Sequence, residues 1–189
     1  MSAIETPHIE IVPVRKANAL PAICNLLNEA LGELHDLEYL AEIVDQPSEA
    51  MIIGAYVAAK PALVGASYVI RLHAGMEEET APFDWPTSEQ YASDEFVCLV
   101  SSAVIPSFQG IGIGKHMAQR RIRWATTMDC RWAVALCWES GRERTSLPLL
   151  TSLGFEEVER RTDAWTGMPC PVCGDNCQCS GVVVKRGLG

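Results

Sequence analysis

Positive charge is scarce in this chain. Fifteen lysines and arginines stand against 24 aspartates and glutamates in 189 residues, a formal net charge of -9 at pH 7. A surface of that sign repels a phosphodiester backbone unless its basic residues are segregated, so nucleic acid is not an expected partner. A cationic and apolar leader is also missing. The first ten residues, MSAIETPHIE, carry two glutamates instead, which predicts a cytoplasmic protein. No apolar run of membrane length is uninterrupted: Met51 to Ile70 is broken at its centre by Lys60-Pro61. Its two short β-branched runs read as a buried hairpin, and no membrane association is expected. There is no internal repeat.

What is present suits an ordinary globule. Hydrophobic residues make up 48% and charged ones 21%, enough to build a core. The length fits a single domain over 1–189. Ile9 to Val14 alternates like a strand, and Asn18 is placed to cap a helix. Leu20, Ile23, Leu26, Leu27, Ala30, Leu31 and Leu34 recur at helical spacing. After a break at Gly32 to Asp36, so do Leu37, Leu40, Ala41 and Val44. A hairpin over Met51–Ala59 and Leu63–Leu72 turns at Lys60-Pro61. Glu77 to Glu95 holds seven carboxylates and no basic residue, the pattern of an exposed connector whose field would attract a cationic ligand. Phe96 to Ile105 reads as a central strand, followed by a helix to about Met128. Then come a strand over Arg131–Trp138, a short helix over Ser146–Leu153, and strands over Phe155–Arg161 and Val182–Lys185. The order predicts an α/β (α+β) layered fold.

The turn between the central strand and its helix is rich in glycine: Gln109-Gly110-Ile111-Gly112-Ile113-Gly114-Lys115. Such a turn bares several main-chain N–H groups at a helix N-terminus, where the peptide dipoles add partial positive charge, so it is an anion site in design. A phosphate-binding loop of the Walker type fails here, since Gln109 and His116 stand where glycine and Ser or Thr are required. A dinucleotide fingerprint fits poorly, with Ile113 and Lys115 at the places where the third glycine would fall.

Gln109, Gly112 and Gly114 do meet the pattern Gln/Arg-x-x-Gly-x-Gly/Ala. With Val104, Pro106, Gly110 and Ile113, and the later Leu153-Gly154-Phe155, the sequence resembles the GNAT superfamily of acyl-CoA-dependent N-acetyltransferases. The resemblance covers nearly the whole chain. It implies a mixed, mostly antiparallel sheet flanked by helices, with a central parallel strand pair that splays apart. It implies that acetyl-CoA is bound, with its pyrophosphate on the main chain of Gln109, Gly110, Ile111, Gly112, Ile113 and Gly114 and with Lys115 placed to add charge. The pantetheine arm would pair with Ser102, Ala103 and Val104. The expected activity is direct acetyl transfer to a primary amine, a small cationic amine or a peptide, and dimers are common in the family.

Acetyl transfer needs a neutral amine, a stabilised oxyanion and a proton for the leaving thiolate. At the positions where many members of the family carry a base and a tyrosine acid, this chain has Cys98 and Leu150. Orientation alone supplies much of the rate in a ternary complex. Glu139 and Glu95, at strand ends, are the candidate bases, ahead of Tyr91 and Asp94. Cys98 reads as a small buried hydrophobe and His116 as a surface or packing residue. The vacant base and acid positions also motivate an alternative, a non-catalytic acyl-CoA-binding sensor or interaction protein.

Of eight cysteines, four crowd into ten residues: Cys170, Cys173, Cys177 and Cys179. The first half, Cys-Pro-Val-Cys-Gly, resembles a rubredoxin-type zinc knuckle. Four thiolates close a tetrahedral structural Zn²⁺ site, and in an intracellular chain metal outranks disulfide. Reduced thiols, disulfides and an iron–sulfur cluster are the other readings. The cysteine-rich loop, 168–180, is expected between the last two strands, as a rim of the acceptor pocket.

Overall fold

The computed structural model describes residues 7–32, 35–58, 61–72, 96–141, 145–162, 164–167 and 170–189. Seven strands form one sheet: β1 (Ile9–Pro13), β2 (Ala50–Val57), β3 (Leu63–Leu72), β4 (Phe96–Val104), β5 (Trp132–Glu139), β6 (Glu156–Arg161) and β7 (Ser180–Gly187). Their spatial order is β1-β2-β3-β4-β5-β7-β6. Every neighbouring pair is antiparallel except β4 and β5. Helices α1 (Leu20–Leu31), α2 (Leu37–Val44), α3 (Ile113–Thr127) and α4 (Leu147–Ser152) complete the fold.

Alternation along the strands sorts the core into two layers. Tyr68, Ile70, Phe96 and Cys98 pack with Leu20, Ile23, Leu27 and Leu40 of α1 and α2. Val69, Val97 and Leu99 join Ala118, Ile122 and Ala125 of α3 and Leu150 of α4. Each fully buried Leu or Ile contributes roughly 1.5–3 kcal/mol, which is why these helices hold despite modest local signals.

Two local expectations are corrected. Asn18 does not cap α1; a 3₁₀ turn over Ala17–Ala19 runs directly into the helix, whose N-cap position is Ala19 with no side-chain bond. The side-chain cap appears at α2, where Asp36 accepts from the N–H groups of Glu38 and Tyr39 at 2.6 and 3.0 Å. Strand β7 is longer than Val182–Lys185 because it is paired on both sides, to β5 and β6. The expected acidic connector, Glu77 to Glu95, and Lys60 of the hairpin turn lie outside the described residues.

The parallel pair is short. Only Phe96, Val97 and Cys98 find partners on β5, at Trp132, Ala133 and Val134. Beyond them the strands part. On its other edge β4 carries one extra residue, since Tyr68 pairs with Ser101 while Ile70 pairs with Cys98. A bulge of this kind bends its strand and strengthens the local twist, turning the end of β4 away from β5. The buried Arg121 of α3, 4% exposed, donates from Nη1 to the carbonyls of Tyr68 and Ser101 at 3.2 and 3.3 Å. It thereby satisfies main-chain acceptors beside the bulge.

Candidate functional site

A gap between the strands begins where β4 leaves β5 after Cys98, and the glycine turn follows the end of β4. Gly110 and Gly112 hold φ values of 84° and 93°, a region that costs an L side chain roughly 1–2 kcal/mol. Gly112 is the N-cap of α3 and supplies no side-chain cap, so the first N–H groups of the helix have no intrahelical acceptor. The first helical bond runs from His116 N–H to Gly112 O at 3.0 Å. Gln109 donates from Nε2 to Val104 O at 2.8 Å, tying the turn to the end of the strand. Gln109, Gly110, Ile111, Gly112 and Lys115 are exposed. Ile113 is not; its side chain is buried with Ile53, Ala55, Val64 and Met117, which leaves only its main chain to meet a ligand. Gly114 packs on α4, where an added Cβ would stand 3.3 Å from Leu149 Cδ1.

Ser102, Ala103 and Val104 lie past the last β4–β5 pairing and have partners on β3 alone, at Ser67, Ala66 and Gly65. Their edge toward β5 therefore borders the opening. Glu139 sits at the far end of β5, opposite Ser180. Its carboxylate is ion-paired with Arg160 of β6, which also grips Glu157 at 2.8 and 3.0 Å. Glu95, Tyr91 and Asp94 lie outside the described residues. Cys98 is buried, and burial pushes its thiol up to about 12, with the nearby Arg121 pulling the other way. Leu150 is core. His116 is exposed.

The structure assembles a polar group that sequence reasoning missed. Asn28 of α1, His35 between α1 and α2, Tyr68 of β3 and Ser101 of β4 form one hydrogen-bonded chain. His35 Nε2 stands 2.8 Å from Ser101 Oγ, and His35 Nδ1 stands 3.0 Å from Asn28 Oδ1. The His35 ring meets Tyr68 edge-on at 6.1 Å. Burial lowers the His35 pKa below 6.5 and raises that of Tyr68 well above the usual phenol value. The available signal was a histidine in the break between the first two helices.

The four clustered cysteines converge, all their sulfurs lying within 4.8 Å of one another. Cys173 Sγ and Cys170 Sγ stand 3.5 and 3.8 Å from Cys179 Sγ. A tetrahedron of sulfurs around a metal at about 2.3 Å has edges of about 3.8 Å. Cys170 and Gly174 exchange main-chain bonds of 2.9 and 3.1 Å around the turn, with Gly174 at φ 72°. The N–H groups of Val172 and Cys173 donate to Cys170 Sγ at 3.4 and 3.3 Å. Burial pushes the Cys170 thiol up, but those donors and the neighbouring thiols outweigh it and bring it down to about 7. The donor set therefore fits a thiolate-bound metal. None of the eight cysteines is in a disulfide. Trp138, next to Glu139 on β5, is hydrogen-bonded to Cys179, and Trp165 packs beside it.

No protein-family model matches the chain, and no curated protein matches it by sequence. Solved structures do match. NAA60 of Arabidopsis thaliana, in complex with acetyl-CoA, is 12% identical and superposes with a TM-score of 0.69, covering 95% of this chain and 98% of that one. A GNAT superfamily phosphinothricin acetyltransferase of Sinorhizobium meliloti, also with acetyl-CoA, is 15% identical with a TM-score of 0.67, over 96% and 89%. The ribosomal-protein-S18-alanine N-acetyltransferase of Escherichia coli is 14% identical with a TM-score of 0.66, over 96% and 95%. The chain has the GNAT fold, with a four-cysteine cluster between its last two strands.

Proposed function

We propose that this chain is an acetyl-CoA-dependent N-acetyltransferase that passes the acetyl group directly to a primary amine within a ternary complex. One observation carries the proposal: an uncapped helix N-terminus, bared by Gly110 and Gly112, sits at the end of a strand whose outer edge is open because β5 has diverged. Diphosphate suits the first feature, since unsatisfied N–H groups and the α3 dipole both favour negative charge. Pantetheine amides suit the second, because Ser102 to Val104 border the gap. The two features share one strand, so a single extended ligand can use both. Gln109, Gly110, Ile111, Gly112, Ile113 and Gly114 would hold the pyrophosphate mainly through main-chain N–H groups, and the exposed Lys115 adds charge.

The acceptor would approach from the α1–α2 and β6–β7 side. Glu139, the candidate base at the end of β5, is ion-paired with Arg160, so its carboxylate would serve to attract an ammonium group in place of taking a proton, and Glu95 would add to that field. This favours a cationic amine. Cys170, Cys173, Cys177 and Cys179 would hold one Zn²⁺. Four protein sulfurs leave no open position, so the metal supplies structure and no chemistry. Its effect would reach the cleft through Trp138, bonded to Cys179 and adjacent to Glu139.

Calorimetry with acetyl-CoA and free-thiol release with a panel of polyamines, aminoglycosides, amino acids and peptides test the proposal. Binding with turnover on at least one amine is expected. Binding with no turnover across the panel would favour an acyl-CoA-binding sensor, the reading that the buried Cys98 and Leu150 at the family's base and acid positions support. No heat from coenzyme A or its thioesters would remove both readings.

A further inference from the structure

The chain Asn28–His35–Ser101–Tyr68 has a direction that its geometry determines. Two main-chain bonds clasp the Asn28 amide: Oδ1 accepts from His35 N–H at 2.8 Å, and Nδ2 donates to His35 O at 3.0 Å. That clasp identifies which end of the amide is oxygen. The same Oδ1 lies 3.0 Å from His35 Nδ1. An amide oxygen only accepts, so Nδ1 carries the ring proton. In the neutral imidazole the lone pair is then on Nε2, 2.8 Å from Ser101 Oγ, and the Ser101 hydroxyl donates to it. Tyr68 is hydrogen-bonded to the same Ser101 side chain. Hydroxyl, imidazole and orienting amide thus stand in the relation required of a proton acceptor poised by a third group.

The position of this chain matters as much as its direction. Ser101 is three residues beyond Cys98, the last β4 residue paired to β5, and immediately precedes Ser102. It sits beside the bulge, on the strand that borders the cleft. Ser101 and His35 are both half-buried. The ionisable groups around the ring are the Cys24 thiol of α1, which donates to His35 O at 3.3 Å, Asp36 of the α2 cap, Tyr39 of α2, Tyr68 of β3, and Cys98 and Arg121 behind Ser101. Asp36 spends its carboxylate on the α2 N–H groups and is not bonded to the ring.

We propose that His35, acting through Ser101 and held by Asn28, accepts the proton released in acetyl transfer. The inference rests on the acyl-transfer reading above. The amine nitrogen attacks the thioester carbonyl carbon and a C–N bond forms. Its proton passes to Ser101 Oγ as Ser101 gives its own to Nε2. The C–S bond breaks with its electron pair on sulfur, and the proton returns by the same route to the thiolate, leaving His35 neutral. One proton moves from nitrogen to sulfur and no further reactant is consumed. Asn28 is a positioning residue that sets the tautomer.

The test uses the full, metal-replete chain with acetyl-CoA and hydroxylamine as the probe acceptor, following thiol release, alongside calorimetry of acetyl-CoA binding. His35→Gln is expected to bind acetyl-CoA within twofold of wild type while kcat falls about 100-fold or more and the acid limb of the pH profile flattens. Added imidazole is expected to restore turnover to His35→Gly, and Ser101→Ala to lose at least tenfold. Nitrogen-15 spectra of the wild-type imidazole, which need no variant to fold, are expected to show Nδ1 protonated and Nε2 bare at neutral pH. The inference is overturned by the opposite tautomer, by His35→Gln turnover within threefold of wild type with an unchanged profile, by acetyl-Ser101 in the mass spectrum, or by wild type that binds acetyl-CoA yet releases no thiol above buffer. Wild type that does not bind acetyl-CoA defeats the acyl-transfer reading itself.

Discussion

At Gly112 the proposed anion site rests on the main chain alone. Its φ of 93° is costly for any L residue, while an added Cβ would meet nothing nearer than His116 Cε1 at 3.9 Å. Backbone strain, not crowding, is therefore the cost. Gly112→Ala is expected to lower stability by about 1–2 kcal/mol and to weaken acetyl-CoA at least tenfold, read by thermal melting and calorimetry. The roles proposed for Glu139 and His35 differ. Glu139 is tied to Arg160 at the end of β5, whereas His35 is bonded to Ser101 beside the bulge. With whichever amine the panel identifies, Glu139→Gln should raise KM several-fold with kcat within threefold of wild type, the pattern of lost ground-state binding. His35→Gln should do the reverse.

At the scale of elements, the loop between β6 and β7 is a small structural unit attached to β5. Its three buried cysteines pack with its own Trp165 and with Trp138 of β5, and β7 approaches closely at Gly181, where a Cβ would stand 3.0 Å from Ala164 Cβ and 3.1 Å from Leu136 Cδ1. Purified protein is expected to contain one zinc per chain by elemental analysis. Chelation should lower the melting temperature and raise the acceptor KM while leaving acetyl-CoA affinity unchanged, because the glycine turn at the start of α3 belongs to a separate segment of the chain from the cysteine loop. Chelation that changes none of these would reject the role. Gly181→Val should cost about 1–3 kcal/mol by overpacking and reduce metal content in the same preparation. The second element that matters is β4. Its spare residue beside Ser101 and the guanidinium of Arg121 on the Tyr68 and Ser101 carbonyls keep the strand turned from β5.

For the whole molecule, the buried titratable groups bound a pH window. Burial holds His35 below 6.5 in the folded state, so below that pH the unfolded chain binds the extra proton first and stability falls with acidification. Burial holds Cys98 up at about 12 and Cys137 at about 11, against 9.0 unfolded, so above pH 9 the unfolded chain loses protons first and stability falls again. Arg121, brought down to about 10 by burial, works in the opposite sense only above that pH. Melting temperature is therefore expected to peak between about pH 6.5 and 9. His35→Gln should flatten the acid side and Cys98→Ala the alkaline side. Much of this molecule was legible in its residues, because local physics writes local patterns. The period of Leu20 to Val44 announced two helices, the apolar run from Phe96 a central strand, the glycines after Pro106 a bared helix end, and the spacing of Cys170 to Cys179 a four-sulfur cluster. Tertiary structure alone decided the extra residue in β4, the Arg160 clasp on Glu139, the burial of Arg121, and the meeting of His35 with Ser101 across 66 residues of chain. Periodicity tells each segment which side to bury, but polar side chains distant in sequence find one another only once the sheet and its helices have packed.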